Sequence, residues 1–474
     1  MRRDVESATT RERARRRVVA LVTVIYILLI GEGALRKWAL PSFGQILFFL
    51  RDPFVLVVYW LAFRHALFPR GSFLLSAGIT LGFLGVIIMV LQAMGPASGI
   101  AKWPLLAAYG WRNYFLYIPL PFVIGETFGQ TDVRRLVRLT LLLAIPVAVL
   151  VMMQFRAPPD APINIGFSSN LSEQFRGLTV DENHTRPMGP FTSDVGQREF
   201  VVSGVAMLLS LWILPASRRF IGQWLLLPAT IAILSCLAVG GSRGSMVACG
   251  LVALAALLSS MPLRGSGASA RAVLLPSSIV VIAVVLYPIV FPEGYSTFVS
   301  RWISAAAVES QSYSLGLFGR ALYSFIDFVT FLGEAPLAGY GLGLAGNAST
   351  VLGVSIPGTA ASAESDWARH IVDLGPLFGV LFMAYRVALV TWLGATCFRG
   401  ARITGNPLPL LLFAYVGIEL LYGQISGHGT VNGYAWTFAG LCIAASKAAR
   451  NSTALPATRS HRPVAAVPFP NLLR

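Results

Sequence analysis

Charged residues are scarce in this sequence. Only 12% of its 474 residues are charged, whereas 55% are hydrophobic. A chain of this length could hold several soluble domains, but its mean hydropathy of +0.68 and its long apolar stretches argue against that. Because a membrane span needs about 20 mainly apolar residues, the composition predicts a protein that crosses a membrane several times.

Cysteine and histidine are also rare, which argues against two kinds of site. The four cysteines lie in or beside apolar runs without a Cys-x-x-Cys spacing, so neither a disulfide framework nor a cysteine-bound metal is expected. The five histidines are too scattered for a metal cluster. Asp181, Glu182 and His184 form a weak ligand set that loop polarity explains more simply. The sequence therefore predicts no metal and no cofactor.

Acidic residues are fewer than basic ones, with 21 against 37 and a formal net charge of +16. Such an excess could suit a nucleic-acid partner, but the basic residues fall between apolar segments and no recognition motif accompanies them. The sequence also lacks a phosphate-binding glycine loop, a serine-nucleophile elbow and a zinc-binding helix. We therefore interpret the basic residues as membrane topology signals and predict no nucleic-acid partner.

Apolar stretches recur along most of the chain and predict an all-α integral membrane fold with about twelve transmembrane helices. The first stretch follows a basic segment but lacks a clean cleavage site, so we interpret it as an uncleaved span. The stretches are 18–35, 43–62, 72–94, 112–126, 136–155, 198–215, 221–239, 245–261, 272–290, 367–395, 408–425 and 431–447.

Arginines in alternate loops predict the orientation of these spans, because positively charged loops stay on the cytoplasmic side. Both termini are then cytoplasmic, and two long segments lie outside, at about 156–197 and 291–366. The predicted organisation is a basic tail (1–17), nine spans (18–290), a large and partly helical outer loop before the tenth span (291–366), three further spans (367–447) and a second tail (448–474).

Several arginines lie on the predicted outer side, against the usual bias. Arg243 stands in "VGGSRGSMVACG", a short turn between two spans, where a guanidinium could bind a phosphate with two hydrogen bonds. The alternative is an arginine that extends to lipid headgroups or pairs with a loop acid. Arg320 precedes an amphipathic stretch in the large outer loop, and a solvated helix face would explain it equally well.

The stretch "AESDWARHIVDLGPLFG" concentrates charge at the mouth of an apolar segment. On a helix over 364–379, Asp366, Arg369, His370 and Asp373 share one side. Asp366 reaches His370 and Arg369 reaches Asp373 at a spacing of four residues, so the sequence predicts two supporting pairs.

Glu364 falls on the opposite face of that predicted helix. One explanation is an acid in the first helical turn, where the helix dipole favours it, with Ser362 as the N-cap. The other is a functional carboxylate at the outer mouth of a span.

Two stretches together resemble the O-antigen ligase and Wzy-type polymerase superfamily of bacterial membrane glycosyltransferases. One is "SRGS" at 242–245, and the other runs from Arg320 through "PLAGYGLGLAGN" to "ESDWARHIVDLGPLFGVLFM". Members have about twelve spans, cytoplasmic ends, a large outer loop before the tenth span, a Gly-x-Gly-x-Gly-like turn and an acid-Leu-Gly-x-x-Gly pattern. Asp373, Gly375 and Gly379 match that last pattern.

The resemblance implies an enzyme of the bacterial inner membrane whose active site faces the periplasm. The family transfers a glycan from an undecaprenyl diphosphate carrier to an acceptor hydroxyl without a metal. By this resemblance, Arg243 and Arg320 would hold the diphosphate. The expected partners are the lipid-linked glycan donor, a saccharide acceptor hydroxyl, membrane lipid and a chain-length regulator.

One position departs from the ligases of this family. They have a histidine about nine residues before the acid of the Leu-Gly pattern, and Glu364 stands at that position here. The departure favours a polymerase of O-antigen or exopolysaccharide repeat units. The alternatives are a ligase that joins glycan to a lipid core or protein and, in another class, a transporter or flippase of lipid-linked saccharide. Glu364 is then the predicted catalytic base, with His370 as the second candidate.

Overall fold

Helices form throughout the part of the chain that the structure describes. The structure is a computed structural model, and it describes residues 2–100, 102–166, 185–260, 285, 287–289, 291–312, 316–354 and 363–453. Every element in these ranges is a helix, which confirms the predicted all-α fold class.

The α-helices are numbered here in chain order over the described ranges. They are α1 (Arg2–Ala34), α2 (Gly44–Leu47), α3 (Asp52–Arg64), α4 (Phe73–Met94), α5 (Trp103–Trp111), α6 (Leu120–Thr127), α7 (Gln130–Arg156), α8 (Asp194–Ile213), α9 (Gln223–Val239), α10 (Arg243–Ser260), α11 (Pro292–Ser312), α12 (Gly316–Ile326), α13 (Phe328–Leu332), α14 (Asn347–Leu352), α15 (Asp366–Leu374), α16 (Pro376–Thr404), α17 (Leu408–Leu421) and α18 (Gly429–Thr453). Two π-helical segments, Leu35–Ala39 and Arg112–Leu116, and three short 3-10 segments complete the elements.

Several helices have the length and composition of membrane spans. Large apolar side chains also remain exposed on the molecule, such as Phe63 (84% exposed) and Phe73 (80% exposed), as expected where lipid surrounds a protein. The stretches that are long and apolar enough to cross a membrane are Thr9–Ala39, Phe73–Met94, Gln130–Arg156 and Pro376–Thr404. These helices agree with the predicted membrane protein, but the predicted count of about twelve spans is not confirmed.

The predicted second span, 43–62, is broken at two buried charges. Helix α2 ends at Leu47 and α3 begins at Asp52. Arg51 Nε lies 2.8 Å from Glu32 Oε2, and Asp52 Oδ2 lies 2.7 Å from Arg112 Nε. Charged side chains that are buried inside a membrane protein need opposite charges beside them. We call Glu32, Arg51, Asp52 and Arg112 the core ion network.

The predicted fourth span, 112–126, is also not one helix. Helix α5 ends at Trp111, a π-helical segment follows, and α6 begins at Leu120. Within the π segment, Asn113 Nδ2 donates to the Ser426 carbonyl at 2.9 Å, and the Tyr114 hydroxyl donates to Asp373 at 3.1 Å. A π turn changes the direction of consecutive side chains, and here it points them at partners that are distant in sequence.

The predicted tenth span, 367–395, is divided by Gly375. Its φ of +82° is in the left-handed region, and a Cβ there would lie 2.1 Å from the Leu337 carbonyl oxygen. Pro376 then begins α16. The predicted single helix over 364–379 is therefore wrong, because the backbone turns where only glycine fits. The predicted ninth span, 272–290, lies almost entirely outside the described residues.

The glycine-rich turn "GYGLGLAG" packs directly against helix backbones. Gly343 has a φ of +85°, and a Cβ there would lie 2.9 Å from the Cα of Gly110. Gln92 Nε2 donates to the Ala338 carbonyl (2.5 Å) and to the Asp373 carbonyl (2.7 Å). The turn thus fixes the C-terminal end of α15 against α4 and α5.

Candidate functional site

Glu364 lies before helix α15 and is exposed. The helix begins at Asp366, and Ser365 is its N-cap, with its Oγ accepting from the Ala368 amide at 3.0 Å. The predicted placement of Glu364 in the first helical turn is therefore wrong, and the predicted cap Ser362 lies outside the described residues. An exposed carboxylate in this position can meet a ligand from solution.

The short segment around Glu364 is held in place on one side by Asp327, which lies between α12 and α13. Asp327 accepts two hydrogen bonds from Ser365, one from its Oγ (2.6 Å) and one from its amide (3.3 Å). The Ala363 carbonyl accepts from Arg369 Nε at 3.3 Å. These contacts order the backbone on both sides of Glu364.

His370 and Asp366 are buried in the protein interior, although the sequence predicted them near the end of an apolar span, beside the candidate base. Both side chains are fully buried, and His370 Nε2 lies 3.6 Å from Asp366 Oδ2, so the two predicted neighbours are adjacent without a direct hydrogen bond. Arg386 Nη1 donates to Asp366 Oδ2 at 2.5 Å and contacts His370 Nε2 at 2.6 Å. Because a guanidinium only donates, His370 Nε2 must accept, and the imidazole carries its proton on Nδ1.

The other nitrogen of His370 is also engaged. Nδ1 lies 3.1 Å from the Tyr114 hydroxyl, which in turn donates to Asp373 Oδ2 at 3.1 Å. With both nitrogens bonded and no exposed surface, His370 lacks access to an acceptor hydroxyl in this arrangement. The contacts of Arg386 with Asp366 and His370 were not predicted. A charged residue inside an apolar helix was the signal that could have indicated them.

The predicted Arg369–Asp373 pair is wrong. Asp373 Oδ1 accepts from the Ala345 amide at 2.8 Å, and the acid serves to fasten the glycine-rich turn. Arg369 turns the other way, and its Nη1 would lie 2.6 Å from a Cβ on Gly427. Nη1 is buried and has no hydrogen-bond partner in the described part of the chain. Residues four positions apart can meet, but here each finds a closer partner elsewhere.

His428 lies between helices α17 and α18, beside the loop that Arg369 reaches. Its ring nitrogens lie 3.2 and 3.3 Å from Asn347 Nδ2. Burial, together with the positive charges of Arg369 and Arg198, lowers the pKa of His428 to about 4. Sequence reasoning missed His428, and its only signal was a histidine between two glycines. We call Arg369 and His428 together the basic pair.

The two arginines predicted to hold a diphosphate differ in what the structure describes. Arg243 begins helix α10, after a turn in which Gly241 has a φ of +55°. Arg320 lies on α12, and its side chain is outside the described residues. Their shared contact with a diphosphate therefore stays a prediction.

Aromatic side chains form a wall at the N-terminal end of α15. Trp367 Nε1 donates to the Leu421 carbonyl at 2.7 Å, and its ring packs edge-on against Phe325 at 5.6 Å and Phe328 at 5.8 Å. Phe325 also stacks on Tyr422 with a centroid distance of 4.8 Å. The combination of aromatic surface with a few charged groups is typical of a ligand site.

Metal binding finds no support in the described residues, because no group of three His, Cys, Asp or Glu side chains there could hold an ion. Comparison with known proteins adds no identification. No protein family model and no curated protein matches this chain. The function must therefore be argued from the chemistry of the site.

Proposed function

We propose that this chain is a membrane glycosyltransferase that polymerises saccharide repeat units carried on undecaprenyl diphosphate. The observation that carries the proposal is the meeting of the basic pair with the exposed segment of Glu364. Arg369 bonds to the carbonyl of Ala363, directly beside Glu364, while its free Nη1 lies next to the loop of His428.

Glycosyl transfer from a diphosphate needs stabilisation of the negative charge on the leaving group. Arginines can supply it where no metal is bound, because the guanidinium offers several donors in a fixed plane. Arg243 stands at the start of α10, where the helix dipole also favours an anion. Together with Arg320 it would hold the diphosphate, and Arg369 adds positive charge near the same mouth.

The acceptor hydroxyl needs a base. In the proposed step its oxygen bonds to the anomeric carbon of the donor, the bond from that carbon to the diphosphate oxygen breaks, and the proton passes to Glu364. Glu364 is exposed, whereas His370 is buried with both nitrogens bonded. This contrast favours Glu364 as the base.

The aromatic wall gives the donor or acceptor an apolar surface. Trp367 is two residues before Arg369 on α15, so the wall and the basic pair lie at the same end of the helix. A lipid-linked saccharide presents a charged diphosphate beside apolar faces of sugar rings and a prenyl chain. The observed mixture of groups suits such a ligand.

Deletion of the gene followed by sizing of the surface glycan tests this proposal. Loss of a polymerase leaves single repeat units on the carrier or the core. Loss of a ligase would leave long chains on the carrier, and loss of a flippase would leave lipid-linked units inside the cell. Either of the last two outcomes would contradict a polymerase.

A further inference from the structure

Arg198 is an arginine that the proposed reaction does not yet use, and two acids hold it. Its Nε and Nη2 donate to Glu199 Oε1 at 3.0 and 2.6 Å, and Nη2 also donates to Glu419 Oε1 at 3.1 Å. The Tyr415 hydroxyl donates to the other oxygen of Glu199 at 2.6 Å. The Glu199 side chain is fully buried and that of Glu419 is 8% exposed. The acids therefore fix the guanidinium from the protein interior.

The remaining guanidinium nitrogen, Nη1, has different surroundings. It takes part in none of the hydrogen bonds of Arg198 within the described residues, and the side chain is 28% exposed. It lies 3.6 Å from the position that a Cβ on Gly244 would occupy. Gly244 directly follows Arg243 at the start of α10. Nη1 of Arg198 thus lies beside the turn that contains Arg243.

Two arginines belong to this turn, since Arg243 stands in it and Arg198 Nη1 borders it, while Glu199 and Glu419 are buried behind Arg198. A dianionic group would therefore be attracted here.

We propose that Arg198 is a further diphosphate-binding residue and that Glu199 and Glu419 are its positioning residues. The inference rests on the proposed function. A phosphate oxygen can accept from Nη1 while Nε and Nη2 stay bonded to the acids. A guanidinium that is already oriented loses less conformational freedom when it binds, which favours affinity.

The test measures binding of undecaprenyl diphosphate to the purified full chain in phosphatidylcholine nanodiscs. Arg198→Lys keeps the charge but loses the planar fork, so we expect about 10- to 100-fold weaker binding. Arg219→Lys is the matched control, because Arg219 is a half-buried arginine beyond the other end of α8 whose hydrogen bonds, within the described residues, go to backbone carbonyls. We expect this control to bind within about twofold of the original chain.

Two further variants separate binding from folding. Gly244→Val leaves Arg198 and its acids unchanged but fills the space beside Nη1, so it should also weaken binding. Glu419→Gln keeps an acceptor oxygen but removes the negative charge that helps to hold the Arg198 guanidinium in place. We expect it to lower the preference for undecaprenyl diphosphate over undecaprenyl phosphate by about threefold, a ratio that a purely structural defect would not change.

The outcomes distinguish this inference from the proposed function. If the original chain does not bind undecaprenyl diphosphate, the proposed function fails. If it binds, and Arg198→Lys or a well-folded Gly244→Val binds equally well, the role of Arg198 is overturned while the proposed function stands. If phosphatidylglycerol displaces the ligand as readily as undecaprenyl diphosphate does, Arg198 holds a lipid headgroup and the inference is also overturned.

Discussion

The core ion network and the basic pair use the same residue types in opposite ways. In the core ion network, each acid lies within 2.8 Å of an arginine, and the side chains are at most 12% exposed. In the basic pair, Arg369 bonds to a backbone carbonyl and His428 contacts an amide. The described residues thus provide bonded acids for the first group, whereas in the second the positive charge of Arg369 has no hydrogen bond to an acid among them.

The difference indicates which charges stabilise the fold and which can meet a ligand. Removing one partner of a buried ion pair leaves an uncompensated charge, so the first group should tolerate little change. The second group carries positive charge without a matching acid, and an anionic ligand could supply the missing charge.

Asp52→Asn should cause the largest effect, because it leaves the buried charge of Arg112 without its partner. We expect the free energy of unfolding to fall by about 3–5 kcal/mol, measured by thermal or denaturant unfolding in detergent. Glu126→Gln is the control, because Glu126 pairs with Lys447 where both side chains are partly exposed. It should cost less than about 1 kcal/mol. Equal stability of the two variants would contradict the view that the core ion network stabilises the fold more than an exposed pair does.

Glu364→Gln should abolish chain extension without loss of folded protein. The amide keeps the size of the side chain but cannot accept the proton, so we expect the rate of polymerisation to fall by about 10²- to 10⁴-fold. Polymer length and membrane protein abundance are the two measurements. Glu334→Gln, a change at another exposed acid, is the control. Polymer of normal length from Glu364→Gln would mean that the base is another residue.

Arg243→Lys should have a smaller effect than loss of the base. Lysine keeps the positive charge at the start of α10 but cannot present a planar pair of donors to a phosphate. We expect activity to fall by about 10- to 100-fold at low donor concentration and to recover partly at high concentration. Arg135→Lys, at an exposed position on α7, should behave like the original chain. Full activity of Arg243→Lys would assign Arg243 a structural role.

Helix α15 shows how far sequence reasoning reaches at this site. The spacing of four residues predicted that Asp366 and His370 would meet, and they do. The same spacing predicted contact between Arg369 and Asp373, and it failed. Local geometry made both contacts available, and competition with residues far along the chain decided which one formed.

The sequence by itself determined the helical class and the membrane character, because long apolar runs leave the backbone no hydrogen-bond partners except its own. It did not indicate the break at Gly375, since the helix predicted over 364–379 passed through Gly375 and Pro376. Only the tertiary structure decided that Arg386 would bond to His370 and that Glu199 and Glu419 would share Arg198.

Those contacts could not be predicted because they join residues up to 221 positions apart. Burial obliges a charged side chain to find a partner, but it does not specify which one. That choice depends on where the helices are broken and how closely their backbones approach. Gly375 and Gly343 control such approaches, since each lies at a positive φ against another backbone.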